Sequence, residues 1–506
     1  MATDGPGGSL NAEASTARDA ATMVLQRAAQ MVGAFLFAAL VPRMMGPEEY
    51  GRYSLVTSLS VWFALFSGLG FTHAMSRYLP QFVLRGEARQ ARRFVGGLLT
   101  LRLASSGAAA GAYLLLAALC LSDLELPLLL ILAGAVLIQS LANFYFGLLL
   151  GLGRVARWGL ADVVRRWLSL ALLLPGFYLG GLRGAGLALL VTELAVLLLG
   201  IAWSRWRVTR ADLRPALGFL APYLRFGITF LGSHALFTML HGSGELMVRL
   251  SSGEYAEVSY FGLAHSVYLA AGTAMPQFAL AFAPLLSARL DEGRTEGLRE
   301  IVEHLLKWLT LAAMLAVFGA LLLADTLVPV VFGATYRAVA PNLIPLMVAL
   351  LMLTLSSVTN LLALVFDRPG VALTASGLRL ATFWGLGPFL VRWWGSLGGC
   401  VAMLAAAALH AGYSTLRMRD LVGSPLKSWG RVVGLGLPFS ALLWLRSSWV
   451  TNAVLYGAFL AGYGCALLFF GVVTWGELRV ALRAMFRGPA LERAPGAVRP
   501  GWPEPL

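Results

Sequence analysis

Charged residues and cysteines are scarce in this chain of 506 residues. Asp, Glu, Lys and Arg make up 13% of it, whereas soluble domains have roughly 25%. Cysteine occurs three times, each time alone in an apolar segment (Cys120, Cys400 and Cys465), which argues against a disulfide framework and a thiolate metal site. The two lysines complete no G-x-x-x-x-G-K-[ST] motif, so an ATP-driven pump with a phosphate-binding loop is excluded. We expect neither a metal nor a cofactor.

Long apolar segments make up most of the chain. Hydrophobic residues account for 58%, and the mean hydropathy is +0.75. The segments are about 20 residues long, which is the length that crosses roughly 30 Å of hydrocarbon. The pattern predicts an all-α polytopic membrane protein with fourteen transmembrane helices, at 21–42, 54–75, 94–120, 126–150, 158–179, 184–204, 217–240, 258–285, 305–327, 341–365, 371–391, 395–416, 430–446 and 450–475.

The basic residues are distributed unevenly between the two sides of the predicted membrane. With the N-terminus inside, 28 of the 39 Lys and Arg residues lie in inside segments and seven in outside loops. This bias obeys the positive-inside rule and predicts that both termini are cytoplasmic. The net charge of +14 is explained by topology, so we expect contact with membrane lipids and no binding of nucleic acid.

The loops between the predicted helices are short. The longest outside loop runs from about 241 to 257, which is too small for a catalytic domain. We therefore expect a protein that is not an enzyme and that acts within the bilayer. The polar residues 1–20 lack the order of a secretory signal and are predicted to form a disordered cytoplasmic tail.

Part of the sequence is repeated. Shifted by 214 residues, 151–167 aligns with 365–381, and the alignment pairs Arg154 with Arg368, Arg165 with Arg379, Gly181 with Gly395 and Gly184 with Gly398. A shift of 208 relates EYGRYSL (49–55) to EVSYFGL (257–263). A unit of six helices crosses the membrane an even number of times, so the second copy starts on the same side as the first and has the same orientation. We therefore predict two parallel six-helix repeats, as in alternating-access transporters. The predicted parts are a tail at 1–20, lobes at 21–210 and 211–420, helices 13 and 14 at 421–476, and a cytoplasmic tail at 477–506.

Two segments carry a resemblance to a known family. RMMGPEEYGRYSLVTSLSVWFALFSGLGFTHAMSRYLPQF (43–82) and FGATYRAVAPNLIPLMVALLMLTLSSVTNLLALVFDRPG (332–370) resemble the polysaccharide-export, O-antigen-type flippases of the multidrug/oligosaccharidyl-lipid/polysaccharide exporter superfamily. The resemblance implies transfer of an undecaprenyl-pyrophosphate-linked oligosaccharide from the cytoplasmic to the periplasmic leaflet of the bacterial inner membrane. It also implies association with a polysaccharide polymerase and glycosyltransferases.

Five arginines within or at the rim of apolar segments are candidate substrate-binding residues. Ionisable groups inside a membrane are rare and suggest function, and arginine suits phosphate because its planar fork donates in pairs. For each one, snorkelling to the headgroups or orientation of the helix is the alternative. The five are Arg27, Arg225, Arg102, Arg165 and Arg379.

Two carboxylates are candidates for ion coupling. Glu193 lies in the middle of the sixth predicted helix, where pairing with an arginine and protonation are alternatives. Glu245 lies near the outer end of the seventh, where solvation at the membrane edge is the alternative.

Two other functions stay open. One is a cation-coupled multidrug exporter of the same superfamily, whose members place an acidic residue in the first helix. No Asp or Glu occurs here between Ala20 and Gly46, which argues mildly against it. The other is an integral-membrane glycan enzyme, which needs catalytic residues on a sizeable outer loop.

Overall fold

The described part of the chain is almost entirely helical. In this computed structural model the described residues are 7–121, 123–206, 209, 217–280, 282–283, 286–287, 295–422, 426–477 and 479, and no strand occurs among them. Helices suit an apolar environment because each backbone N–H and C=O finds its partner within the same segment. The predicted all-α fold class is confirmed.

The chain forms two compact units that divide between Ser243 and Gly244. The first contains helices α1 (Gly7–Phe66), α2 (Phe71–Leu84), α3 (Ala88–Cys120), α4 (Leu126–Gly151), α5 (Val155–Ser204) and α6 (Leu217–Gly242). The second contains α7 (Gly244–Ser252), α8 (Tyr255–Gly272), α9 (Ala274–Leu280), α10 (Thr295–Phe332), α11 (Val339–Val365), α12 (Pro369–Trp394), α13 (Ser396–Val422), α14 (Leu426–Gly436) and α15 (Trp449–Phe469). A 3₁₀ segment, Leu437–Leu445, joins α14 to α15.

Eight helices among the described residues are long and apolar enough to cross a membrane. Two of them contain a backbone break. In α1 the break is at Gly46, and in α5 it is at Gly180 and Gly181. These breaks fall between the predicted spans 21–42 and 54–75 and between 158–179 and 184–204. The full count of fourteen transmembrane helices and the two-repeat layout remain predictions.

Two predicted spans are divided between consecutive helices, and one of them contains a turn. The span 54–75 is interrupted where α1 ends and α2 begins, and Leu69 and Gly70 have φ values of 42° and 73° at that turn. The span 258–285 is divided at Thr273, between α8 and α9, where the backbone keeps helical φ and ψ of −66° and −26°. Hydropathy does not detect the turn at Leu69 and Gly70, because a few small residues change the average over an apolar segment only slightly.

The predicted disordered tail at 1–20 is wrong for most of its length, because α1 begins at Gly7. The segment NAEASTARDAAT (11–22) contains five alanines, and alanine has the highest helix propensity. Such a segment extends the apolar helix that follows it, since elongating a helix is easier than nucleating one.

Helix α6 packs closely within the first unit. A Cβ on Gly70 would overlap the carbonyl oxygen of Gly227, and a Cβ on Gly227 would come within 2.9 Å of the Gly70 carbonyl oxygen. Small residues allow such close approach of apolar helices. Helix α6 contacts α1, α2 and α3, so it belongs to the first compact unit. The predicted lobes at 21–210 and 211–420 describe the sequence repeat and stay a prediction.

Positions paired by the 214-residue shift have similar backbone geometry. Gly181 has φ 55° and ψ −141°, and Gly395 has φ 57° and ψ −140°. Gly153 and its counterpart Asp367 also both have positive φ, 72° and 51°. These local agreements support the alignment of the two segments.

Candidate functional site

A cavity of about 310 Å³ lies inside the first unit, among the second half of α1 and helices α2 to α5. We name it the Arg102 pocket. Two of the five predicted arginines, Arg102 and Arg165, lie in its wall. The other polar side chains of the wall are Thr72, His73, Asn143 and Asp162.

Arg102 is held by the backbone of the neighbouring helix. Its side chain, from α3, is 3% exposed. Nε and Nη2 both donate to the carbonyl oxygen of Ser140 on α4, at 2.9 and 2.6 Å. Nη1 lies 2.9 Å from the point where a Cβ on Gly68 would be. The glycine therefore leaves room for the guanidinium, and a side chain at this position would displace it.

Three serine hydroxyls form a buried chain next to Arg102. Ser140 Oγ lies 2.6 Å from Ser67 Oγ and 2.5 Å from Ser106 Oγ. Ser105 donates to the carbonyl oxygen of Ser67 at 2.7 Å. These bonds join the end of α1 to α3 and α4 and satisfy polar groups that would be costly to bury alone.

Arg165 is held by side chains of two helices, its own helix α5 and the neighbouring α4. Its Nη2 lies 3.2 Å from Glu193 Oε2 and donates to Asn143 Oδ1 at 3.0 Å. Its Nη1 lies 3.8 Å from Asp162 Oδ1, and the guanidinium carbon is 5.0 Å from the centre of the Phe146 ring. The Glu193 side chain is 2% exposed and that of Arg165 is 22% exposed, so the carboxylate lies behind the arginine. Pairing with an arginine, one of the alternatives for Glu193, is what the structure shows.

The two arginines of the Arg102 pocket differ in whether a nearby carboxylate balances their positive charge. Arg165 has two carboxylates nearby, Asp162 and Glu193. Arg102 takes part in no ion pair with any residue that the structure describes. A buried charge without a partner is costly, and a guanidinium with free donors is suited to a phosphate oxygen. The pocket therefore offers an uncompensated cation to an anionic group.

Arg379 lies in the second unit, in a different environment. It is 6% exposed, and its Nη2 donates to Tyr268 Oη at 3.0 Å and lies 3.9 Å from Met403 Sδ. Within the described part of the chain Arg379 has no carboxylate partner.

The remaining predicted residues do not line the Arg102 pocket. The side chain of Arg27 lies outside the described residues. Arg225 is exposed on α6. Glu245 is the second residue of α7 in the second unit and is buried, so solvation at the membrane edge, one of its two interpretations, does not describe its surroundings.

The sequence prediction missed Asn143, Ser140 and Gly68. Gln139, Ser140 and Asn143 are polar residues within an apolar segment, and the reasoning that selected the arginines could have selected them too. The role of Gly68 depends on the position of Arg102 in another helix, and no local pattern indicates it.

Solved structures with a similar fold are membrane transporters. "Lipid II flippase MurJ, inward closed conformation" has a TM-score of 0.66 at 13% identity, covering 89% of this chain and 98% of that chain. An inward-facing multidrug resistance MATE family transporter of the MOP superfamily has a TM-score of 0.62 at 18% identity, covering 80% and 96%. An outward-facing structure of such a transporter has a TM-score of 0.51 at 18% identity, covering 81% and 96%. At these identities the similarity shows the fold.

No curated protein matches the chain in sequence. A profile of the family described as "Polysaccharide biosynthesis protein" matches residues 17–289, which is more than half of the chain. The resemblance found in 43–82 lies within this range and is confirmed. The chain belongs to the polysaccharide biosynthesis protein family, and its fold is similar to those of the lipid II flippase MurJ and of a MATE family transporter.

Proposed function

We propose that this protein flips a polyprenyl-pyrophosphate-linked oligosaccharide from the cytoplasmic to the periplasmic leaflet of the bacterial inner membrane. The transfer proceeds by alternating access and leaves the substrate chemically unchanged. The family, the flippase fold and the membrane-length helices support transport over catalysis. The single observation that carries the choice of substrate is the uncompensated guanidinium of Arg102 at a cavity inside the first unit.

The physical problem is the headgroup of the substrate. A polyprenyl tail is soluble in lipid, but a pyrophosphate cannot enter hydrocarbon without a compensating charge. Arg102 supplies such a charge. The carbonyl of Ser140 orients its guanidinium, and Gly68 leaves the space that the guanidinium occupies. Arg165 supplies a second guanidinium in the same wall, and its charge is moderated by Glu193.

The three other predicted arginines are also part of this proposal. Arg27, Arg225 and Arg379 are candidates for contacts that the substrate makes elsewhere on its path. Arg379 has no carboxylate among the described residues, so it is the strongest candidate of the second unit.

Glu193 and Glu245 are the proposed sites of ion coupling. A cation bound at Glu193 would compete with Arg165 for the same carboxylate and would change the charge that the Arg102 pocket offers. Transport by the Glu193→Gln and Glu245→Gln double variant under an imposed proton or sodium gradient tests the assignment. Full gradient-dependent transport in that variant removes both residues from the coupling mechanism.

The biological setting follows from the substrate. We place the protein in cell-surface polysaccharide biosynthesis, with both termini in the cytoplasm and with glycosyltransferases and a polysaccharide polymerase as partners. Reporter fusions at the two termini test the topology, and opposite locations of the termini would contradict it.

Reconstitution tests the proposed activity. The protein is inserted into liposomes that contain a fluorescent lipid-linked oligosaccharide, and protection of the label from a membrane-impermeant quencher is followed. We expect protection to depend on the protein and to be competed by unlabelled polyprenyl-pyrophosphate sugar. Protein-independent protection would contradict the proposal.

A multidrug exporter is the second candidate, because a MATE family transporter has a TM-score of 0.62 with this chain. The same liposomes distinguish the two functions when a fluorescent organic cation replaces the lipid-linked sugar. Cation-gradient-driven movement of the dye, without movement of the sugar lipid, would favour drug export.

A further inference from the structure

A second cavity, of about 530 Å³, lies in the second unit between α10, α14 and the segment that follows α15. This volume falls within the range of roughly 300–1,000 Å³ typical of small-molecule sites. Charged side chains of α10 and α14 line it, together with apolar groups that include Leu435 and Phe470.

The α10 side of this cavity is electrically compensated. Lys307 Nζ and His304 Nε2 both contact Glu477 Oε1, at 2.6 and 2.9 Å. Glu303 Oε1 pairs with Arg299 Nε at 3.1 Å. These contacts fix the segment after α15 against α10 and leave little net charge on this wall.

The α14 side is cationic. Arg431 lines the cavity, and Lys427, which is outside its lining, lies four residues earlier on the same face of the helix. Both side chains are exposed, and neither has an ion pair with any described residue. This wall therefore attracts an anion.

Phe470, which lines the cavity, belongs to a group of exposed aromatic residues close together in the chain. Phe469 and Phe470, at the end of the membrane-length helix α15, are exposed, and so is Trp475. Aromatic residues at such a position are typical of the membrane interface. A ligand bound there meets cations on one side and hydrocarbon on the other.

We propose that this cavity binds the phosphate of an anionic membrane phospholipid, with Arg431 and Lys427 as donors and the acyl chains along Phe469 and Phe470. Basic pockets between membrane helices are suited to such headgroups. The site is independent of the transported substrate and of the Arg102 pocket, so it does not rest on the proposed function.

Lipid retention tests the proposal. The full-length protein is extracted from nanodiscs of phosphatidylcholine and phosphatidylglycerol, and bound lipid is counted by native mass spectrometry across a range of phosphatidylglycerol contents. We expect Arg431→Gln to bind phosphatidylglycerol about tenfold more weakly, since it removes a charge-assisted contact. Arg431→Lys should retain most of the binding. Arg419→Gln, at an exposed arginine outside the cavity, is the matched control.

The outcomes separate the sources of the phosphate. A rise of the thermal midpoint with phosphatidylglycerol in wild type but not in Arg431→Gln supports the lipid. The same rise with inorganic phosphate alone, in phosphatidylcholine nanodiscs, overturns the lipid assignment in favour of a soluble phosphate. Equal phosphatidylglycerol binding by wild type and Arg431→Gln, or equal losses in Arg431→Gln and Arg419→Gln, overturns the site. Arg102→Gln should bind phosphatidylglycerol like wild type, whatever its flipping rate.

Discussion

Arg165 in the first unit and Arg379 in the second occupy paired positions of the sequence, 214 residues apart, and their guanidinium groups have different neighbours. Arg165 is partly exposed at the Arg102 pocket and lies against the buried carboxylate of Glu193. Arg379 is buried, and it donates to the Tyr268 hydroxyl. The counterpart of Glu193 in the alignment is Ala407.

This difference shows what a sequence repeat preserves. Backbone features such as the positive φ at Gly181 and Gly395 recur, because helix packing depends on them. The polar partners do not recur, since Asn143 aligns with Ser357. A recurring arginine is therefore evidence of common architecture and is weaker evidence of common chemistry.

The largest expected effect is a difference in stability between the variants Arg165→Met and Arg379→Met. Arg165→Met leaves Glu193 buried without a cation, and breaking such a pair costs about 3–5 kcal/mol. Arg379→Met removes a buried cation that has no carboxylate partner among the described residues, and such a replacement is expected to be neutral or stabilising. Thermal unfolding of both variants in the same detergent measures the difference.

A second substitution checks the cause of that difference. Adding Glu193→Gln to Arg165→Met removes the buried carboxylate that has lost its cation, so most of the lost stability should return. Equal destabilisation by Arg165→Met and Arg379→Met, or no recovery in the double variant, would contradict the role of Glu193 as the buried partner.

A smaller effect should be shared by the two units. A Cβ on Gly184 would overlap the carbonyl oxygen of Gly176, and a Cβ on Gly398 would overlap that of Leu390, its counterpart in the 214-residue shift. Overpacking of this kind costs about 1–3 kcal/mol. Gly184→Ala and Gly398→Ala should therefore lower the thermal midpoint by similar amounts.

Two other glycines, one in α5 and one in α12, provide controls. A Cβ on Gly180 or Gly385 would meet no atom within 4 Å, so their replacement by alanine should have little effect. Strong destabilisation by one of Gly184→Ala and Gly398→Ala and none by the other would argue against equivalent packing of the paired segments.

The smallest effect concerns an ion pair at the edge of the second unit. Burial tends to raise the pKa of Glu477, but hydrogen bonds from Lys307 and the Thr474 backbone lower it more, to about 2. A depressed folded-state pKa stabilises the protein above the ordinary value of 4.5, and this contribution is lost as the pH falls toward 2. Because the pair is partly exposed, we expect Glu477→Gln to cost at most about 1 kcal/mol near neutral pH.

The pH dependence tests whether Glu477 is the group responsible. The difference in thermal midpoint between wild type and Glu477→Gln should not shrink between pH 7 and about 5. It should shrink below the ordinary pKa of 4.5. A difference that already disappears between pH 7 and 5 would show that another group is responsible.

The sequence was sufficient for the parts of the fold that depend on composition. Segment hydropathy predicted the helical class, and a break near 180 follows from two adjacent glycines. Hydropathy did not predict the turn at Leu69 and Gly70, because a single left-handed glycine inside an apolar segment leaves the average hydropathy nearly unchanged.

The candidate site was predictable in its charges and not in its geometry. The rarity of intramembrane arginine selected Arg102 and Arg165. The carbonyl of Ser140 that holds Arg102, and the space at Gly68, arise from contacts between helices far apart in the sequence. Such contacts depend on tertiary packing, which no periodicity in a single segment specifies.

The flipping rate of Arg102→Gln is the most direct test of the central claim, that an uncompensated guanidinium in the first unit accepts the pyrophosphate of a lipid-linked oligosaccharide. The control is Arg183→Gln, because Arg183 is exposed and pairs with Glu125 at the surface. We predict that Arg102→Gln inserts and folds but transfers the labelled substrate at least about tenfold more slowly, while Arg183→Gln remains at the wild-type rate. A wild-type rate in Arg102→Gln would contradict the account.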